Sequence, residues 1–411
     1  MNLILFFTLS ILSYYLYKSK EIYSLSFLYT LFWLFNIAFS EIFFRDYHFS
    51  TSLYVLIILS SFSIFMGELI GVKKVKNDTQ TKFSKKTLLL LTYLSVAIGF
   101  VFPIESLIIN GISIETLLSF QNLLEVNNTM AVARYTNDLN TSVISQIALV
   151  FVYLAPLLAG FTNAQFKARK LLVISLLPSL MVLLTQNTKF VFICAIFLLV
   201  ISRFSYFLVF KGRFPKFKLK HIVGALVGML VFYFLVIFSF IARIGKLDEQ
   251  VLEEVNYKVA FYFAHLPTFD DWLVNYLDKD IHFHEYGVKT FFGIANTLGI
   301  AERKAGIFDD NYYFYSNGRE FHSNVYTVFR YHIEDFGFWG TFVFVFILGF
   351  IFGLLKSKMY RFSLLAVVVF SCLFFYVFNS YVSSIWAYMS FILVFILFYL
   401  SLFISKKRRY V

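Results

Sequence analysis

The sequence has little charge and almost no cysteine. Charged residues make up 15% of its 411 residues, against about 25% in a typical soluble domain. Both cysteines, Cys194 and Cys372, lie in apolar runs, which favours packing residues over a disulfide or a metal site. Hydrophobic residues make up 59% of the chain and aromatic residues 21%. A chain this apolar cannot cover itself in water, so the sequence predicts an integral membrane protein.

Apolar runs of about twenty residues predict an all-α, polytopic transmembrane bundle of about eleven spans. We treat 1–411 as a single integral membrane domain. The net charge of +12 does not indicate nucleic acid binding, because the basic residues cluster in short connections between the apolar runs. The predicted spans are 3–17, 22–44, 51–72, 87–104, 141–161, 171–184, 190–210, 222–242, 336–355, 362–378 and 385–404.

The basic clusters fall on alternate connections, which places them all on one side of the membrane. By the positive-inside rule that side is cytoplasmic. The other side then carries two periplasmic loops, a shorter one at 105–140 and a large one at 243–335. A loop as long as the second is expected to contain structure of its own. Thr268 and Asp271 fit a capping box, which predicts an amphipathic helix that lies on the bilayer or caps the bundle.

The stretch 323–337 carries several polar side chains and leads into a predicted span. Wound as a helix at 100° per residue, it places six of them on one arc of about 140°. That face presents an arginine and two carboxylates at the membrane surface, which suits an anionic headgroup and proton abstraction. The alternative is a solvated helix face with an ordinary Arg330–Glu334 pair. The six residues are Asn324, Thr327, Arg330, Tyr331, Glu334 and Asp335.

Further cations and histidines lie at the predicted outer face. Arg134 and Arg243 oppose the charge bias of that side, so each is a candidate pyrophosphate ligand, with snorkelling to headgroups as the alternative. His265 and His322 are candidates for acid–base or headgroup contacts. No spacing of cysteine and histidine predicts a metal site.

Asn324-Val325-Tyr326-Thr327 with Arg330, followed by Glu334-Asp335-Phe336-Gly337 entering a span, resembles the Wzy-type oligosaccharide repeat-unit polymerases of bacterial O-antigen and capsule assembly. The layout is similar to that family as well. Its members have ten to fourteen spans, a shorter outer loop with an arginine and a large outer loop near the C-terminal third.

The resemblance implies a membrane glycosyltransferase that uses an undecaprenyl-pyrophosphate-linked oligosaccharide at the periplasmic face of the inner membrane. Glu334, Asp335 or a histidine of the large loop would take the acceptor proton, and Arg330, Arg243 and Arg134 would bind the pyrophosphate. No cofactor or metal is implied, and the partners are the lipid-linked glycan, the bilayer, a flippase and a chain-length regulator. The implied substrate contacts are Asn324, Thr327, Tyr331, His322 and His265, with Tyr312, Tyr313, Tyr315 and Trp272 as candidates for stacking on sugars.

Three other functions stay open at this point. An O-antigen ligase shares the layout but transfers finished glycan to a lipid A core. A lipid-linked glycan flippase or transporter predicts charged residues inside spans, whereas the predicted spans here hold few apart from Glu41 and Glu68 near their ends. A non-enzymatic membrane scaffold is the third.

Overall fold

The computed structural model describes most of the chain. The described residues are 11, 24–72, 81–135, 140–212, 234, 257, 260–261, 263–279, 284–302, 308, 312–323, 325–359, 361 and 363–407. Apart from residues 11 and 234, the first and eighth predicted spans lie outside them, and so do Arg243 and Asn324.

Thirteen α-helices, two 3-10 helices and one hairpin make up the regular structure of these residues, and the helices and strands are numbered here in chain order. They are mostly helical, as predicted, but they also contain a two-stranded sheet that the all-α prediction missed. The elements are α1 (Leu25–Phe43), α2 (Thr51–Gly71), α3 (Lys85–Ile109), a 3-10 helix (Ile114–Leu118), α4 (Phe120–Tyr135), α5 (Val143–Phe166), α6 (Arg169–Ile174), α7 (Leu177–Gln186), α8 (Lys189–Lys211), α9 (His265–Leu277), α10 (Phe292–Thr297), β1 (Tyr312–Ser316), β2 (Arg319–Ser323), α11 (Val328–Lys358), α12 (Ser363–Asn379), a second 3-10 helix (Ile385–Ala387) and α13 (Met389–Ser405).

Serine begins four of the long apolar helices. In each case its hydroxyl accepts a hydrogen bond from the backbone N–H three residues on, which satisfies one of the donors that a helix start leaves free. Seven helical stretches among the described residues are long and apolar enough to cross a membrane, and α12 and α13 are shorter apolar helices. The serines are Ser24 for α1, Ser50 for α2, Ser84 for α3 and Ser142 for α5.

The sixth predicted span is divided in the structure. Its residues form α6 and α7, which are separated at Ser175 and Leu176. Pro178 follows at the start of α7, where its missing N–H and fixed φ are tolerated.

Two spanning helices, α2 and α11, are in close backbone contact. Gly67 and Gly71 of α2 face Gly349 and Gly353 of α11. A Cβ added at Gly349 would lie 2.2 Å from the carbonyl oxygen of Ile64, so the two backbones nearly touch. Small residues spaced by four allow such an approach, which van der Waals packing then stabilises.

A cap of short elements covers the end of the bundle where α2 and α11 begin. Helix α9 packs on α1, α2 and the hairpin, and α10 packs on the second 3-10 helix and α13. The hairpin turns through Asn317 and Gly318, which both have positive φ, as a two-residue type I′ turn requires. The Asn317 side chain donates 2.8 Å to the carbonyl of Phe43 at the end of α1.

Candidate functional site

The polar motif begins with extended chain and becomes helical only at Val328. Residues 319–323 form β2 and Thr327 is the extended N-cap of α11, so the predicted helix over 323–337 is wrong in its first turn. Thr327 therefore does not share a helix face with Arg330. The backbone N–H of Val328 donates 2.8 Å to the carbonyl of Ser380, which fixes the helix start to the end of α12.

Arg330 lies inside an aromatic enclosure. Its guanidinium carbon is 4.0 Å from the ring centroids of both Phe308 and Tyr326, and 5.1 Å from that of Trp272. Only 3% of the residue is exposed. Guanidinium planes stack well on aromatic faces, and a buried charge also needs an ionic partner. Glu334 supplies that partner, accepting from Arg330 Nε at 2.8 Å.

Glu334 is held between two cations. Its Oε1 accepts from Arg330, and its Oε2 lies 4.0 Å from Nζ of Lys289. Lys289 also pairs with Glu285 at 3.4 Å. The Glu334 side chain is 19% exposed, so this carboxylate can be reached from outside the protein. Sequence reasoning found the arginine pair and missed Lys289, which lies 45 residues earlier with no motif around it.

Asp335, the next residue in α11, is fully buried. Its carboxylate accepts from the backbone N–H groups of Lys289 at 3.0 Å and Thr290 at 2.5 Å. The carbonyls of Glu334 and Asp335 accept further bonds from Glu285 and Tyr286. Asp335 thus anchors the loop 285–290 to α11 and thereby places Lys289. A catalytic role for Asp335 stays a prediction, and its geometry favours this structural role.

His332 holds the same loop from a second direction. Its Nδ1 lies 3.2 Å from the hydroxyl of Thr290, and its Nε2 lies 3.0 Å from the hydroxyl of Tyr376 in α12. Ser384 donates 2.8 Å to the Thr290 carbonyl. The sequence does not predict these contacts, because His332 lies on the apolar side of the helical wheel. Tyr331 beside it is buried against Phe308.

His265 lies at the start of α9, away from water. Its Nδ1 is 3.0 Å from the hydroxyl of Ser323, and its ring lies 5.5 Å from that of Tyr381. Burial lowers the pKa of His265 to about 4, so the ring is neutral at pH 7 and joins α9 to the end of β2. His322 stands opposite Tyr313 in the hairpin register, and its side chain lies outside the described residues.

The predicted capping box at Thr268 is wrong. Helix α9 begins at His265, and the Thr268 hydroxyl instead donates 2.7 Å to the carbonyl of Ala264. Trp272 is buried between Phe269 and Tyr276, so it does not offer a face to a sugar.

Asp270 fastens α9 to the start of α2. Its carboxylate accepts from the N–H of Ser50 at 2.8 Å, from the Ser50 hydroxyl, and from the Tyr47 hydroxyl at 3.1 Å. Burial raises the pKa of Asp270, and these hydrogen bonds oppose that rise. The sequence does not predict this role for Asp270, because an acidic residue is ordinary on the polar face of an amphipathic helix.

Arg134 lies on a helix outside the cap formed by α9, α10 and the hairpin. Its helix α4 packs mainly on α7 and the first 3-10 helix. The guanidinium donates to the carbonyl of Gln186 at 3.3 Å and to the hydroxyl of Thr188. Arg134 thus joins the shorter loop to the turn between α7 and α8, and no described contact brings it to Glu334.

Within the described ranges, no group of three His, Cys, Asp or Glu side chains is arranged to hold a metal ion. No family model, no curated protein and no solved structure matches the chain.

Proposed function

We propose that the protein polymerises oligosaccharide repeat units carried on undecaprenyl pyrophosphate, as an O-antigen or capsule polymerase at the periplasmic face of the bacterial inner membrane. The observation that carries the proposal is a reachable carboxylate, Glu334, placed between Arg330 and Lys289 at the start of an apolar helix long enough to span a membrane. A lipid-linked anionic donor needs cations, a base and a bilayer in one place.

The proposed reaction is a direct displacement at the anomeric carbon of the growing chain. The acceptor sugar hydroxyl forms a bond to that carbon and gives its proton to Glu334. The bond from the carbon to the pyrophosphate oxygen breaks, and its electron pair leaves with the polyprenyl pyrophosphate. The anomeric centre is inverted. Cations beside the leaving oxygens stabilise the charge that develops there.

The surroundings of Glu334 suit these requirements. Ion pairs fix the carboxylate in one position, which favours proton transfer in a defined geometry. The exposed rings of Tyr313 and Tyr315 on the hairpin offer faces on which sugars can stack. These features support an enzyme more than a scaffold, for which a buried arginine under three rings has no evident use.

The distribution of charge supports an enzyme over a transporter. Glu68 is a buried carboxylate of a spanning helix, and it pairs with Lys356 at 3.5 Å. Both lie in the last turns of α2 and α11, at the bundle end opposite the site. Transport sites commonly lie near the bilayer midplane instead.

The central test is Glu334→Gln, which removes the base and keeps the size of the side chain. In a strain that lacks the native gene, we expect Glu334→Gln to leave only single repeat units on the surface glycan. In proteoliposomes with the lipid-linked repeat unit, chain growth should slow by about 10² to 10⁴, the usual contribution of general base catalysis.

Glu320→Gln is the matched control, because Glu320 is an exposed carboxylate of the hairpin and should support normal chain lengths. Wild-type chain lengths in well-expressed Glu334→Gln would overturn the proposal. Uncapped core in the deletion strain would indicate a ligase. Movement of lipid-linked glycan across liposomes without extension would indicate a flippase.

A further inference from the structure

The two cations beside Glu334 differ in how far they can move. Arg330 is 3% exposed and lies under three aromatic rings, so it cannot leave without uncovering them. The Lys289 side chain is 20% exposed, and its ammonium sits on a flexible four-carbon stem. Of the pair, only Lys289 can reach an external ligand while the enclosure stays intact.

The base of Lys289 is fixed while its tip is adjustable. Its backbone N–H donates 3.0 Å to the buried carboxylate of Asp335. This bond keeps the Lys289 backbone close enough for its side chain to reach Glu334. Nζ lies 3.4 Å from Glu285 and 4.0 Å from Glu334, and 5.5 Å from the Phe308 ring that also covers Arg330. The longer distance to Glu334 is a loose contact that a more highly charged anion can replace.

We infer that Lys289 is the residue that binds the pyrophosphate of the lipid-linked donor, and that Arg330 is a positioning residue that orients Glu334. The inference rests on the proposed function and deepens it. The resemblance implied that Arg330, Arg243 and Arg134 bind the pyrophosphate, and the inference assigns this binding to a residue outside the motif instead.

The arrangement couples donor binding to base strength. When Lys289 turns to the pyrophosphate, Oε2 of Glu334 loses a positive neighbour, and a carboxylate with fewer cations around it takes up a proton more readily. Arg330 stays on Oε1 and holds the carboxylate in place. Glu334 thus becomes the stronger base only after the donor has arrived.

The test measures binding of farnesyl diphosphate, a short polyprenyl diphosphate, to the full chain in phosphatidylcholine nanodiscs by calorimetry. We expect Lys289→Met to weaken binding by about tenfold or more, as loss of a charge-assisted contact to phosphate does. Lys289→Arg should keep most of the affinity, which separates loss of the charge from loss of the fold. Lys279→Met, at an exposed lysine after α9, should leave binding unchanged.

Arg330→Lys provides the second arm. Because Arg330 acts through Glu334, this variant should bind farnesyl diphosphate within about twofold of wild type and lose turnover. Equal affinity of wild type and Lys289→Met, or a larger loss of affinity in Arg330→Lys, would overturn the inference and leave the proposed polymerase standing. No binding of farnesyl diphosphate by the wild-type protein would instead remove the proposed function itself.

Discussion

Gly337 separates the site-bearing turns of α11 from the rest of that helix. Its φ of 74° and ψ of 172° interrupt the helix three residues after Glu334. A residue with a side chain adopts this region only at a cost of about 1 to 3 kcal/mol. Gly337→Ala should therefore either destabilise the fold or drive the junction towards a continuous helix.

Sterics add little to that cost. A Cβ at Gly337 would lie 3.0 Å from Cε1 of His284, and a ring can move by a few tenths of an ångström. The free energy of unfolding of Gly337→Ala should thus fall by about 2 to 3 kcal/mol, mostly because of the strained backbone conformation. If the junction straightens instead, Arg330 and Glu334 turn relative to Lys289, and displacement of catalytic groups by about 1 Å can reduce rate about 10²-fold.

The assay pairs thermal unfolding in detergent with surface glycan chain length. We expect Gly337→Ala to show a lower midpoint, shorter chains, or both. Gly299→Ala is the control, because Gly299 also has positive φ (72°) but no neighbouring atom within 4 Å of an added Cβ. Gly299→Ala should lower the free energy of unfolding by about 1 kcal/mol and leave the glycan chain length normal. A wild-type midpoint together with wild-type chains in Gly337→Ala would refute the reasoning.

Three further substitutions test the packing and the buried groups. Gly349→Ala places a Cβ 2.2 Å from the Ile64 carbonyl oxygen and should lower the free energy of unfolding by about 1 to 3 kcal/mol, measured by thermal unfolding. Gly99→Ala, whose Cβ would have its nearest contact at 3.3 Å, should lower it by less. His265 has a folded pKa of about 4, below its unfolded value of about 6.5. Unfolding then takes up a proton below pH 6.5, and stability falls by up to about 1.4 kcal/mol per pH unit down to pH 4; His265→Gln should flatten that fall in pH-dependent melts. Asp335→Asn turns one acceptor into a donor that faces a loop N–H, and should lower the free energy of unfolding by about 1 to 3 kcal/mol. An unchanged midpoint of thermal unfolding would contradict the role of Asp335 in anchoring the loop 285–290.

The sequence was sufficient to predict a membrane protein, because the hydropathy that marks a spanning helix is an average over about twenty residues and does not depend on tertiary contacts. The run at 51–72 matches α2 (Thr51–Gly71) to one residue, since both of its ends are marked by loss of apolar residues. The run at 171–184 instead breaks into α6 and α7, because a short interruption near Pro178 does not change the average hydropathy. The Asn317-Gly318 turn signal for the hairpin was present in the sequence and was missed.

The candidate site was predictable only where it is local in the chain. Arg330 and Glu334 are four apart, and helical geometry alone brings them together. Phe308 and Trp272 reach Arg330 from segments 22 and 58 residues earlier, so no spacing rule places them. The helical wheel also gives Glu334 and Asp335 the same polar face, although one is partly exposed and the other is buried against the loop. Tertiary packing decides that difference.

The hydrogen bonds of Asp270 and the glycine contacts between α2 and α11 link three helices to one another. Helix α9 is bonded to the start of α2, α2 is locked along α11, and Trp272 of α9 covers Arg330 of α11. Because of these contacts, we expect the three helices to move as one unit when the bundle tilts in a bilayer of different thickness. The distance between Trp272 and Arg330 should then change little with the thickness of the surrounding bilayer.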